Sequence, residues 1–249
     1  MEHIYAVEST TQLRTYQTFA SQIQTALDGF IAYLRSEFQV TELPRAVLWT
    51  NEKIATSLIS DIPIPAYTND YRIVMCPDPE TWKRIYLKQL EGLPADTTGE
   101  IEAYYTHSLN QRHILQILGH ELAHHSELFI DEAYESGTGI WFEEGMAEYI
   151  SRRYFLSDNE FREEARLNRS LVTLYERHRA THDLQSFGQD TYRNDYAAIF
   201  YEYWRSFLTV EQIVNEYSGD LRAVFDSYHQ WYKSGHHQSL SHWFEINKL

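Results

Sequence analysis

The stretch LGHELAHHSE, Leu118 to Glu127, decides how the rest of the chain reads. Three histidines and two glutamates fall in ten positions, in the pattern H-E-x-x-H at His120, Glu121 and His124. On a helix, residues four apart differ by about 40° around the axis, so the two imidazoles project from one face and can converge on a single ion. Zinc suits neutral imidazole. Glu121 is turned about 100° from His120 and about 60° from His124, which sets its carboxylate beside the ion's open position. A zinc-bound water with a pKa of about 7 still needs a base as it attacks a carbonyl. Glu121 is the candidate base, and the same carboxylate can carry the proton on to the leaving amine.

Two histidines are one ligand short, because a catalytic zinc takes three protein ligands and keeps a fourth position for water. The third comes from IWFEEGMAEYIS, Ile140 to Ser151, at the start of the next predicted helix. Glu144 in that run is the candidate ligand. Glu148 shares its face four residues on, placed to accept the other ring N–H of a ligand histidine and so fix its tautomer. Gly145 and Ala147 would let the two helices approach closely.

HELAH followed by WFEEGMAEY resembles the gluzincin metallopeptidases, zincins whose third ligand is a glutamate, as in the thermolysin-like and M1 aminopeptidase families. The spacing from His124 to Glu144 is similar to the thermolysin-like one, while E-G-x-A-E is nearer the aminopeptidase wording. The chain looks most like the small bacterial gluzincin domains of the MA-type clan. The resemblance implies His120, His124 and Glu144 on zinc, Glu121 as general base and Glu148 supporting a ligand. It also implies a zincin-like α+β fold with an active-site cleft between a small mixed sheet and a helical lobe. Gluzincins commonly take a donor to the developing oxyanion from a later helix, which points to Tyr196 in TYRNDYAAIFYEYW, with Tyr192, His178 and His182 as lesser candidates. Glu143 stands where the aminopeptidases carry asparagine, and no G-A-M-E-N-type exopeptidase motif is present.

Composition sets the outer bounds. A 249-residue chain that is 43% hydrophobic and 15% aromatic can bury a substantial core. Thirty-six acidic against twenty-one basic residues give a net charge of −15, which repels a phosphate backbone and argues against a nucleic-acid partner. The single cysteine, Cys76, cannot close an internal disulfide and reads as a buried thiol. No run of eighteen apolar residues occurs, and the first residues lack a basic segment followed by an apolar one. The expectation is a cytoplasmic protein without a membrane span, acting on a peptide or protein substrate.

Periodicity divides the chain into a 1–108 α+β lobe and a 109–249 helical lobe, together one catalytic unit. The spacing predicts a helix from Thr10 to about Phe38, strands at Arg45 to Thr50 and Tyr71 to Cys76, and a helix after the cap Asp78. ISDIPIPAYTND between the strands reads as loop or edge strand, since two prolines spoil a central ladder. Alternation of Ile101, Ala103 and Tyr105 predicts a final edge strand beside the cleft, where an extended peptide could add. Helices are expected over Leu109 to Leu128, Ile140 to Leu156, Asn159 to Arg179, Tyr192 to Leu208, Val210 to Tyr217, Leu221 to Trp231 and Leu240 to Asn247. Phe200, Tyr203, Trp204 and Phe207 have core spacing. His125 lies about 140° from His120, too far to share its ion. His113 shares the face of His120, but two turns put it about 10 Å away along the axis.

These residues predict a zinc metallopeptidase, a hydrolase of gluzincin type. The alternative is a catalytically silent zinc-binding domain acting as a binding or scaffold protein, against which the intact Glu121 weighs, because a structural zinc needs no base. A third possibility is a metal-free helical interaction protein.

Overall fold

Two apolar runs whose side chains are buried on both faces, VLWT and RIVM, can only be central or near-central strands, and they set the sheet. A computed structural model describes residues 1–179, 181 and 183–246. In it β2 (Ala46–Thr50) lies parallel to β4 (Arg72–Met75), with Val47 opposite Ile73 and Trp49 opposite Met75. The first residues of the chain supply β1 (Glu2–Ala6), parallel to β2. The fourth strand, β3 (Ala66–Asn69), runs antiparallel to β4, giving the order β1-β2-β4-β3. The fold is α+β with a four-stranded mixed sheet.

Helix α1 (Thr10–Glu37) joins β1 to β2. Its Ser9 cap accepts the Gln12 N–H, and Tyr16, Ala20, Ile23, Leu27, Phe30, Ile31 and Leu34 bury one face. After β2, Asn51 caps a short helix α2 (Glu52–Ile54) that widens into a π-helical turn over Ala55–Ile59. The β3–β4 hairpin closes through Asn69, whose Oδ1 accepts from the backbone N–H of Tyr71 and of Arg72. Proline is tolerated here because Pro65 lies just ahead of β3, on the outer strand. Helix α3 (Pro79–Lys88) starts as expected: Asp78 accepts from the Glu80 N–H and the Thr81 hydroxyl.

One expected strand is a helix. Residues 100–105 lie within α4 (Ala95–His107), so the edge strand foreseen there is absent. Ile101 and Tyr105, four apart, are both buried while Ala103 is exposed, which is helical spacing rather than alternation. The sheet edge that flanks the following helix, α5 (Gln111–Ala123), is β3 instead.

The chain forms two compact units, the first made of Met1–Lys88, Glu100–Glu127 and Ile150–Ser157. Helix α5 belongs with the sheet because its apolar side packs on α1, β3 and β4. The second unit comprises Gln89–Gly99, Leu128–Tyr149 and Asp158–Leu249. It contains α6 (Asp131–Glu135), the first turns of α7 (Ile140–Phe155), α8 (Asp158–His178), α9 (Tyr196–Glu216), α10 (Leu221–Lys233) and α11 (Leu240–Trp243). Helices α8 and α9 run in opposite directions, since Glu176 accepts from the Tyr201 hydroxyl while Arg169 pairs with Glu211.

The two helices expected over Tyr192 to Tyr217 are one. Thr209 and Val210 are fully buried inside α9, and the chain ahead of Asp195 is a 3-10 segment. Helix α11 stops at Trp243, and Asn247 lies outside the described residues. Cys76 is a buried free thiol. Among the described residues, no helix is long and apolar enough to cross a membrane.

Candidate metal centre

The centre begins with the local grammar of α5. Asn110 accepts the Arg112 N–H through its side chain and donates its own N–H to Nδ1 of His113. The Tyr104 hydroxyl and Nε2 of His113 are 3.1 Å apart. This histidine therefore joins the end of α4 to the start of α5. From there Ile114, Leu115, Ile117, Leu118 and Leu122 are buried, and the helix is enclosed over nearly its whole length.

At its last turn, Nε2 of His120 and Nε2 of His124 are 3.1 Å apart, with the rings at 78° to each other. His124 is the C-cap but keeps helical angles, so the four-residue spacing survives to the helix end. A nitrogen of each histidine and a carboxylate oxygen of Glu144 all lie within 4.8 Å of one another. Two nitrogens bound at about 2.0–2.1 Å to one tetrahedral zinc sit about 3.3 Å apart, so the imidazole pair is spaced for a shared ion. His120 and Glu144 are buried, and the negative end of the α5 dipole favours a cation at this turn. Two imidazoles and one carboxylate form a borderline-hard donor set that fits a divalent transition metal.

Glu144 lies in the first turns of α7, and the last turns of that helix belong to the first unit. Within the first unit, Nε2 of Gln116 reaches the Ser151 hydroxyl at 3.2 Å. A Cβ on Gly119 would stand 2.6 Å from the Phe155 ring and 3.1 Å from Phe30, so glycine there is what lets α7 and α1 close on α5. A Cβ on Gly145 would meet the Ser206 carbonyl oxygen at 2.4 Å, so that glycine lets α7 close on α9.

The remaining candidates separate clearly. Glu121 is buried on α5 between the two histidines. Glu148 is half-buried, one turn beyond Glu144 on α7. Glu143 faces α10, where burial first and its carboxylate second push the Tyr228 hydroxyl above its ordinary range. Tyr196 opens α9 behind its cap Asp195, half-buried, its ring stacked on Phe200. Tyr192 shares a 2.6 Å hydroxyl contact with Tyr203, and His178 is exposed at the end of α8. His182 lies outside the described residues.

The sequence did not disclose the partner of His125. Its Nε2 lies 2.7 Å from the Thr68 hydroxyl on β3. Burial, and then the adjacent His124, lower its pKa to about 4, so it is neutral at physiological pH. The Asn-Asp turn signal between AYT and YRIVM was the clue to that hairpin.

Comparison of this chain with protein-family models, with curated proteins and with solved structures returns no match.

Proposed function

We propose that the chain is a zinc-dependent metallopeptidase of gluzincin type with a zincin-like fold, His120, His124 and Glu144 holding the metal. The observation that carries this reading is the convergence of two imidazole nitrogens and a carboxylate oxygen within 4.8 Å, next to a buried glutamate in the H-E-x-x-H position. When bound, the zinc would polarise the scissile carbonyl and lower the pKa of a water to about 7.

Glu121 takes the proton of the attacking water and returns it to the leaving amine. Its buried position keeps bulk water from competing for that proton. Glu148 orients a ligand histidine through its ring N–H. Tyr196 is the proposed donor to the oxyanion. An extended peptide substrate adds to β3. The Cys76 N–H donates to the Pro65 carbonyl at 2.9 Å, which makes that a hydrogen-bonded pair of the β3–β4 ladder. By alternation Tyr67 with Val74 is the next, so the N–H and C=O groups of Ala66 and Thr68 point away from β4, with Ala66 buried and Thr68 half-buried.

The test is Glu121→Gln. Zinc content should stay at that of the wild type while hydrolysis of a diverse peptide library falls at least about a thousandfold. Full hydrolysis by this variant would remove Glu121 from the role of base.

A further inference from the structure

Two consecutive histidines follow α5, His124 as its C-cap and His125 just beyond it, and they point to different tasks. His124 belongs to the group that could hold a metal, whereas the His125 ring turns to the sheet. There it meets Thr68 at 2.7 Å, a short, well-formed contact across 57 residues of sequence. Both residues are half-buried, which shields the bond from solvent competition.

The helix end that holds His125 is itself firmly fixed. The His125 N–H closes a turn on the Leu122 carbonyl, the Ser126 N–H closes one on Ala123, and the Ser126 hydroxyl donates to the Phe38 carbonyl at 2.6 Å. On its other face, β3 is held by the Tyr67 hydroxyl, which donates to the Ala55 carbonyl in the π-helical turn at 2.9 Å. Successive residues of the strand are thus anchored on opposite faces, Tyr67 to the π-helical turn and Thr68 to α5.

Thr68, half-buried, is also the more accessible of the two residues whose backbone groups point away from β4. Its side chain is therefore gripped by the residue next to a metal ligand while its main chain is the surface on which an extended chain would pair. We propose that His125 is a positioning residue: through the Thr68 hydroxyl it sets where β3 stands along α5, and hence the register of a bound peptide relative to His120 and His124. This inference rests on the metallopeptidase reading. A misplacement of about 1 Å at such a point is worth up to about a hundredfold in rate.

The experiment compares His125→Ala, His125→Gln, Thr68→Val and the His125→Ala/Thr68→Val double variant, each zinc-loaded. The measured quantities are kcat/KM on a long peptide and on a minimal acyl-dipeptide too short to lie along Ala66 to Thr68. Hydrogen exchange of the Tyr67 and Asn69 amides is followed in parallel.

His125→Ala and Thr68→Val should each lower kcat/KM on the long peptide about tenfold, the double variant no further, and the short substrate should change less than about twofold. Glutamine, whose amide reaches the place of Nε2, should restore most of the loss. Both amides should exchange about fivefold faster in the two single variants. Equal losses on both substrates, additive effects in the double variant, or unchanged exchange would overturn the proposal. If wild type loaded with zinc hydrolyses neither substrate, the peptidase reading fails and the positioning role with it, while the exchange data still decide whether His125 holds β3.

Discussion

Replacing Gly145 by alanine turns the packing of α7 on α9 into a measurable quantity. The added Cβ would lie 2.4 Å from the Ser206 carbonyl oxygen, 2.7 Å from its carbonyl carbon and 2.7 Å from Cγ2 of Val210. The first two are helix backbone, which cannot swing aside as a side-chain tip can. To reach an ordinary contact of about 3.4 Å the two helices must part locally by about 1 Å. Such overpacking costs about 1–3 kcal/mol, against a gain of about 1 kcal/mol from replacing glycine inside a helix. With rigid backbone on the far side, the steric cost falls at the upper end of that range and outweighs the gain, for a net loss of about 2 kcal/mol.

In a chain of this size that is about 4–8 °C in Tm, read by calorimetry or by the midpoint of urea unfolding. The control is Gly99→Ala in α4, where an added Cβ meets nothing within 4 Å. That variant should show only the gain in helix propensity, about 1 kcal/mol or about 2–4 °C. Because Glu144 is the residue before Gly145, zinc affinity in Gly145→Ala should also weaken by at least about tenfold. A Gly145→Ala protein as stable as wild type, or stabilised like the Gly99 control, would refute the packing argument.

Burial lifts the Cys76 thiol from 9.0 to about 11, so between those values the unfolded chain binds fewer protons than the native one and stability should fall as pH rises through that window. At neutral pH the thiol should react with a disulfide reagent no faster than the protein unfolds, and rapid labelling of native protein would contradict its burial. Asn168 is enclosed on α8, and neither of its amide atoms has a hydrogen-bond partner among the described residues. Asn168→Leu should therefore stabilise by about 1–3 kcal/mol in urea unfolding, whereas destabilisation would show that the amide is satisfied by an internal water.

The elements most legible in the sequence are those whose hydrophobic period is long and whose ends carry capping chemistry. Asp78 marks the start of α3 to within a residue, and the apolar positions of α1, α7 and α8 leave little choice of period. The convergence of His120, His124 and Glu144, a group that could hold a metal, follows from the same patterning: helical spacing brings His120 and His124 to one face, and α7 starts where the pattern said. What failed was local and short. Ile101 and Tyr105 satisfy a period of two as well as one of four, and only the packed helix, which buries both and exposes Ala103, tells them apart. Pro63 and Pro65 obscured β3, although a proline just before an edge strand interrupts no ladder. The close approach of α9 to Gly145 was not foreseen, because a glycine announces a close approach without saying to what. No pattern in one sequence could have linked His125 to Thr68, because the link depends on where β3 lies in the sheet.

The most direct measurement is metal stoichiometry by inductively coupled plasma mass spectrometry, on wild type and on His120→Ala and Glu144→Ala variants that remain folded by circular dichroism. Three donors meeting around one cation predict a single zinc per wild-type chain and at least about a hundredfold weaker retention in each variant. A wild-type chain that takes up no zinc, or variants that hold it as tightly as wild type, would contradict the shared site.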